Sequence, residues 1–207
     1  MLTPPHTVLP DFLDEPGVAG LLSDVLTRAA DFKPTGIGSS LVDPGIRKSH
    51  GLRDPGVSLA GLRSKVLGSL PRLTSALGLA PFEPSRLETE LVAHGDGAFY
   101  KRHIDTQIAE QYEASEDIRL ISCVYYFFVE PKAFSGGALR LYAIGGDPAQ
   151  DFIDIAPARN SLLAFPSWAP HEVTPVRCPS GRFIDSRFSI NCWVHRRKSS
   201  APVRAEA

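Results

Sequence analysis

Apolar and polar residues follow two different periods along this chain, and the change falls near residue 86. Before it, Val18, Leu21, Leu22, Val25, Leu26 and Ala29 recur at the three- and four-residue spacing that lines one helix face. Asp14-Glu15-Pro16 marks the start of that helix, with proline early and acidic groups at the positive end of the dipole. Leu59, Leu62, Val66, Leu67 and Leu70 form a second stripe. Pro71 predicts an interruption before Leu73 and Leu77, and Gly78 a stop. Between the two stripes, residues 32–53 are rich in Gly, Pro and Ser and predict a long loop.

After residue 86 the runs become short and dense in β-branched and aromatic residues, separated by Gly, Pro and Asp. Strands are expected at Leu87–His94, Ile118–Val129, Ala138–Ala143, Phe152–Ile155, Ser161–Phe165, Glu172–Val176 and part of Phe183–His195, with a polar loop over Thr106–Asp117. A parallel sheet would need a helix between successive strands, and this region has no room for them. The expected class is therefore α+β: an antiparallel sandwich or barrel, with the early helices packed against one sheet. One domain is expected over residues 1–198, with 1–85 as mainly helical support, 86–198 as the β core, and 199–207 as a flexible tail.

Composition narrows the functional classes. Lys+Arg 22 against Asp+Glu 23 leaves a net charge of -1, so no bulk field favours nucleic acid or an anionic membrane. The basic run Arg196-Arg197-Lys198 is accounted for by a solvated terminus. Three cysteines, Cys123, Cys178 and Cys192, without CxxC spacing argue against a disulfide framework or a structural zinc site. The start lacks a secretory pattern, and no run approaches the ~18 apolar residues of a membrane span. A protein of a reducing compartment, the cytoplasm, is expected.

The candidate chemistry begins at His103-Ile-Asp105. On a strand, residues two apart project to the same side, so an imidazole and a carboxylate would share a face. His171, in Pro-His-Glu-Val, is the best third ligand. Two histidines and one carboxylate on one face of an octahedron leave three positions open, which suits iron(II) better than tetrahedral zinc. The short motif alone also fits a surface His–Asp pair. Farther on, Arg187, Ser189, Asn191 and Trp193 alternate with Phe188, Ile190, Cys192 and Val194. That pattern fits a half-buried strand facing water, or a strand whose polar face lines a cavity. In the second case Arg187 would be a bidentate partner for the far carboxylate of a 2-oxo dicarboxylate chelating the metal.

Taken in order, these segments resemble the prolyl-4-hydroxylase-like branch of the 2-oxoglutarate/Fe(II) dioxygenases, from about Leu91 to His195. The matching pieces are Phe99-Tyr100-Lys-Arg-His103-Ile-Asp105, Arg119-Leu-Ile-Ser-Cys-Val-Tyr125-Tyr126, Ser135-Gly136-Gly137-Ala-Leu-Arg-Leu-Tyr142, Asn160-Ser-Leu-Leu-Ala-Phe165, Pro170-His171-Glu-Val and Arg187-Phe-Ser-Ile-Asn191-Cys-Trp193. The resemblance implies a double-stranded β-helix, iron(II) on His103, Asp105 and His171, and 2-oxoglutarate as co-substrate. It implies that Arg187 pairs with the co-substrate's C5 carboxylate and that Tyr126 hydrogen-bonds it, with Asn191 and Trp193 shaping the pocket. The interval from His171 to Arg187 is longer than in many relatives, so Arg182 is the rival. Gly136-Gly137 would allow a tight turn, as would any hairpin.

Relatives that halogenate lack the carboxylate, so Asp105 implies hydroxylation, with release of succinate and CO2 and with ascorbate as a possible auxiliary reductant. A prolyl residue in a protein or peptide is the expected substrate; a free amino acid or small metabolite is the alternative. The rival classes are a cupin-type metalloprotein that does not use 2-oxoglutarate, and a non-catalytic binding protein.

Overall fold

The structure, a computed structural model, describes residues 2–37, 41–52, 59–107 and 109–198. The tail expected at 199–207 lies outside the described residues, as does Arg53 at the end of the expected loop. The chain opens with β1 (Thr7–Leu9) and α1 (Glu15–Thr27). Asp14 caps α1, its carboxylate accepting from the Gly17 N–H at 3.0 Å, and Val18, Leu21 and Val25 form the buried face. Three short strands follow, β2 (Lys33–Pro34), β3 (Arg47–Lys48) and β4 (His50–Leu52). They correct the reading of 32–53 as wholly loop: each is too short to show a period, β3 and β4 are held by pairing with the later strands Phe99–His103 and Arg86–His94, and β2 pairs with β4. Next come α2 (Ala60–Gly68) and α3 (Leu70–Ala76), with Pro71 in the first turn of α3, where its missing N–H costs nothing.

The β region runs β5 (Arg86–His94), β6 (Phe99–His103), α4 (Ala109–Ala114), β7 (Asp117–Phe127), β8 (Ser135–Gly136), β9 (Leu139–Tyr142), β10 (Phe152–Ile155), β11 (Ser161–Pro166), β12 (His171–Val173), β13 (Val176–Arg177) and β14 (Arg187–Arg197). The short helix α4 corrects the expected loop at 106–117, and the expected strand Glu172–Val176 is divided between β12 and β13. Residues Phe183–Asp185 form a 3-10 turn before the last strand begins at Arg187.

Among the described residues every strand pairing is antiparallel. One sheet has seven strands in the order β1-β11-β7-β14-β5-β4-β2, and the other has five, β10-β9-β12-β6-β3; β8 and β13 form a separate ribbon. Strand parity divides the interior into two cores. Phe188, Ile190, Cys192 and Val194 of β14 join Leu87 and Leu91 of β5 and Ile121 and Tyr125 of β7 beneath the helices, against Val18, Leu62, Val66 and Leu73. On the opposite face of the large sheet, Val124, Tyr126, Leu163 and Phe165 pack against Leu139 and Leu141 of the smaller one. A cavity opens beside this second core. No helix among the described residues is long and apolar enough to cross a membrane.

Candidate active site

His103 and His171 are brought together by direct register. β12 pairs with β6 so that His171 lies opposite His103, and residues opposite one another in an antiparallel pair project to the same face. Their ring centroids are 4.2 Å apart. Asp105 reaches them differently from the expectation of a continuous strand: β6 ends at His103, and the chain turns there. Two backbone donors, the N–H groups of Asp105 and Thr106, fix the turn on the Ser167 carbonyl at 2.9 and 3.1 Å. The carboxylate then lies 3.6 Å from Nε2 of His103 through Oδ1 and 3.6 Å from Nε2 of His171 through Oδ2. The three ligand atoms all lie within 4.8 Å of one another, a group able to hold a metal ion.

Backbone contacts set the tautomers. Nδ1 of His103 is 2.8 Å from the Lys101 carbonyl and Nδ1 of His171 is 2.9 Å from the Ala169 carbonyl. A carbonyl can only accept, so each Nδ1 carries a proton, and Nε2 is the ring atom that each histidine presents toward Asp105. Burial, reinforced by the neighbouring His103, lowers the His171 imidazole to about 4 and keeps it neutral, as a ligand must be. Burial acts to raise the Asp105 carboxyl, but His171, His103 and the Ser122 hydroxyl outweigh it and hold the group well below the usual carboxylate range.

Ser122 and Tyr100 complete the surroundings, and neither was given a role from sequence. The Ser122 hydroxyl donates to Oδ2 of Asp105 at 2.6 Å. Its proton is thus committed, so the Ser167 hydroxyl, 2.9 Å away, must be the donor in the contact between the two serines. Tyr100 stacks on His103 with centroids 3.6 Å apart, and the guanidinium carbon of Arg47 lies 4.9 Å from the Tyr100 ring centroid. The visible signal for Ser122 was a lone hydroxyl interrupting the apolar run of β7.

The cavity has a volume of about 830 Å³, and its walls include His103, Asp105, His171, Arg187, Asn191 and Trp193. The alternation in β14 therefore faces a cavity on one side and the helix-covered core on the other. Arg187 is only 1% exposed, and no carboxylate among the described residues pairs with it. Its guanidinium carbon lies 4.7 Å from the Tyr126 ring centroid. Arg182, by contrast, is 68% exposed and is engaged through Nε and Nη2 by the Asp185 carboxylate at 2.9 Å. Of the adjacent tyrosines, Tyr125 points under the helices, its hydroxyl donating to Asn160 at 2.9 Å, while Tyr126 points to the cavity side.

The buried hydroxyl of Tyr126, Nε of Arg187 and Oγ of Ser189 have no hydrogen-bond partner among the described residues. Gly137 makes room for this cluster: its φ is +67°, and a Cβ there would meet Cδ of Arg187 at 2.7 Å. Farther along β14, Nδ2 of Asn191 is 3.5 Å from Glu90, and Trp193 lies beneath the Arg119 guanidinium at 4.3 Å. Trp193 is thus part of the cavity wall and not of a core. His94, which sequence reasoning also passed over, lines the cavity with its Nδ1 3.0 Å from Nη1 of Arg187.

An antiparallel two-sheet scaffold with two histidines, a carboxylate and a buried cation on one cavity has the donor set of a metal-dependent oxygenase. The chain belongs to the 2OG-Fe(II) oxygenase superfamily, whose family model matches residues 89–195. It is 38% identical over 185 residues to an uncharacterised PKHD-type hydroxylase of Synechocystis, a match covering 84% of this chain and 58% of that relative. The chain thus spans little more than half the length of that relative. Among solved structures it is similar to a Pseudomonas putida prolyl-4-hydroxylase, with a TM-score of 0.64, 27% identity and 94% of each chain covered. It also shares the fold of a Trichoplax adhaerens prolyl hydroxylase in complex with a hypoxia inducible factor oxygen degradation domain peptide fragment. There the TM-score is 0.69 at 22% identity, over 93% of this chain and 84% of that one. The mixed, mainly antiparallel architecture is that of the prolyl hydroxylases.

Proposed function

We propose that this chain is an iron(II)- and 2-oxoglutarate-dependent dioxygenase that hydroxylates a prolyl residue in a protein or peptide and releases succinate and CO2. The observation that carries this reading is a buried, unpaired Arg187 sharing one cavity with the His103, Asp105 and His171 cluster. A buried cation without a counter-charge costs several kcal/mol. A fold that retains one beside unpartnered Tyr126 and Ser189 hydroxyls is built to receive an anion. A cupin-type metalloprotein without a dicarboxylate co-substrate has no use for such a charge.

In this reading the two sheets are those of a double-stranded β-helix, and residues 1–198 form one dioxygenase domain. His103, Asp105 and His171 would hold iron(II), and when bound the metal supplies the activation of dioxygen. Arg187 would bind the C5 carboxylate of 2-oxoglutarate, Tyr126 would donate to it, and Asn191 and Trp193 would wall the cavity beyond. With each Nδ1 held by a backbone carbonyl, Nε2 of His103 and Nε2 of His171 are the atoms these rings would offer the metal. Arg182 is already neutralised by Asp185, which supports Arg187 as the co-substrate residue. The prolyl hydroxylases of similar structure support a prolyl substrate over a free amino acid. Ascorbate would serve as auxiliary reductant. Cys123, Cys178 and Cys192, all free and buried, suit a cytoplasmic setting.

Anaerobic addition of 2-oxoglutarate to the iron(II)-loaded protein should give a weak visible charge-transfer band. His103→Ala and Asp105→Ala should each lose the band and substrate-dependent succinate formation while keeping the far-ultraviolet circular dichroism of the parent. No band in the parent protein would overturn the co-substrate assignment. Succinate release on proline-containing peptides, compared with free amino acids, tests the substrate, and turnover confined to free amino acids would reject the prolyl reading.

A further inference from the structure

His94 ends β5 directly opposite Arg187 at the start of β14, so both side chains project to the cavity face. The imidazole is only 3% exposed, and its Nδ1 lies 3.0 Å from Nη1 of Arg187. A guanidinium offers donors only, so Nδ1 must be the acceptor and the ring proton must sit on Nε2. Burial, with the Arg187 and Arg47 charges adding to it, pushes the His94 imidazole well below its ordinary pKa, which keeps the ring neutral. On the neighbouring strands, the Tyr126 hydroxyl and Ser189 Oγ are buried with no hydrogen-bond partner among the described residues, and Ser189 is in register with Tyr126.

The choice of a neutral acceptor has a physical consequence. A carboxylate at position 94 would hold the guanidinium equally well but would neutralise it and compete with an incoming anion. An apolar side chain would leave Nη1 without a partner and the guanidinium free to rotate. An imidazole restrains Arg187 while leaving its charge available, and turns an N–H donor of its own into the same space.

We propose that His94 is a further residue of the co-substrate pocket, holding the Arg187 guanidinium in place through Nδ1 and donating its Nε2–H to the far carboxylate of the dicarboxylate. The assignment rests on the 2-oxoglutarate reading above and adds a residue to it. It predicts a dependence on the far carboxylate that a merely structural histidine would not show.

The test is anaerobic titration of the iron(II)-loaded protein, followed by the visible band, with 2-oxoglutarate and with 2-oxovalerate, which keeps the oxo acid end and chain length but lacks the second carboxylate. His94→Phe should raise the half-saturating 2-oxoglutarate concentration by about tenfold or more, the range of one lost charge-assisted hydrogen bond. It should leave 2-oxovalerate binding and iron(II) affinity within about twofold of the parent on the same scale. His94→Gln, whose amide can accept from Nη1 and still donate to the cavity, should restore most of the loss. Unchanged 2-oxoglutarate binding in His94→Phe, or equal weakening toward both acids, would overturn the role of His94 while leaving the co-substrate reading intact. A parent protein with no 2-oxoglutarate band would instead remove the co-substrate reading and this role with it.

Discussion

Ser122 shows how much a single hydroxyl decides at this site. Asp105 has two oxygens, each 3.6 Å from a histidine Nε2, and nothing in the carboxylate itself distinguishes them. The Ser122 hydroxyl, 2.6 Å from Oδ2, does so by occupying one lone pair and fixing the plane of the group. Partners of this kind around ligating groups typically change metal affinity by about 10–100-fold. Ser122→Ala should therefore weaken iron(II) binding by about tenfold, measured by anaerobic metal titration, with thermal stability close to the parent. Ser122→Thr, which keeps the hydroxyl, should recover the affinity. An alanine variant that binds iron as tightly as the parent would show that the Ser167 backbone contacts alone hold Asp105.

At the scale of elements, β14 was legible because its alternation is strict: Arg187, Ser189, Asn191 and Trp193 oppose Phe188, Ile190, Cys192 and Val194, and the structure puts a cavity on one side and a core on the other. The same period runs through β5, where Glu88, Glu90 and His94 oppose Leu87, Leu91 and Ala93. What sequence could not supply was the register that sets His94 against Arg187 and Glu88 against Trp193. Helix α1 was legible for a local reason, its capping carboxylate and apolar stripe. The strands β2, β3 and β4 were not, because two or three residues show no period, and β3 and β4 are held by β6 and β5, far along the chain. Asp105 was legible as a ligand but the turn that carries it was not: its approach depends on Ser167, 62 residues away in number but adjacent in space.

Register also builds an ion cluster across the three central strands. Glu88 of β5 meets Arg119 of β7 at 2.8 and 3.2 Å and Nε2 of His195 of β14 at 3.0 Å. Burial acts to raise the Glu88 carboxyl, but His195 and Arg119 outweigh it and bring it down to about 2. A depressed carboxyl contributes stability that is full above its unfolded value, about 4.3, and is lost as pH falls through the folded value. Glu88→Gln should thus melt lower than the parent at pH 7. The gap between the two should narrow as pH is lowered from about 5 toward 3, because only the parent has this contribution to lose. Melting curves across that range provide the measurement, and a constant gap would show that the cluster adds nothing through its charge.

Across the whole molecule, the large sheet separates two packing problems with different consequences. Its outer face and the helices form one core, in which Leu73 of α3 is fully buried. Its inner face and the five-stranded sheet form the other, in which Phe165 is equally buried but lies edge-on to His171, with centroids 4.7 Å apart and planes at 63°. Interiors are close-packed and transmit displacement over short distances, so a void beside a ligand should be felt by the ligand, and a void across a sheet much less. Leu73→Ala and Phe165→Ala should both cost stability, about 2–5 and 3–5 kcal/mol respectively for truncations of this kind. Only Phe165→Ala should also weaken iron(II) binding, because the ring that confines one side of His171 is gone and the Nδ1 contact to Ala169 orients it with less packing support. Denaturant unfolding of the metal-free proteins and anaerobic iron titration, run on the same two variants, separate the effects. Parallel losses of stability and affinity in both would mean that the sheet does not insulate the site from the helical layer.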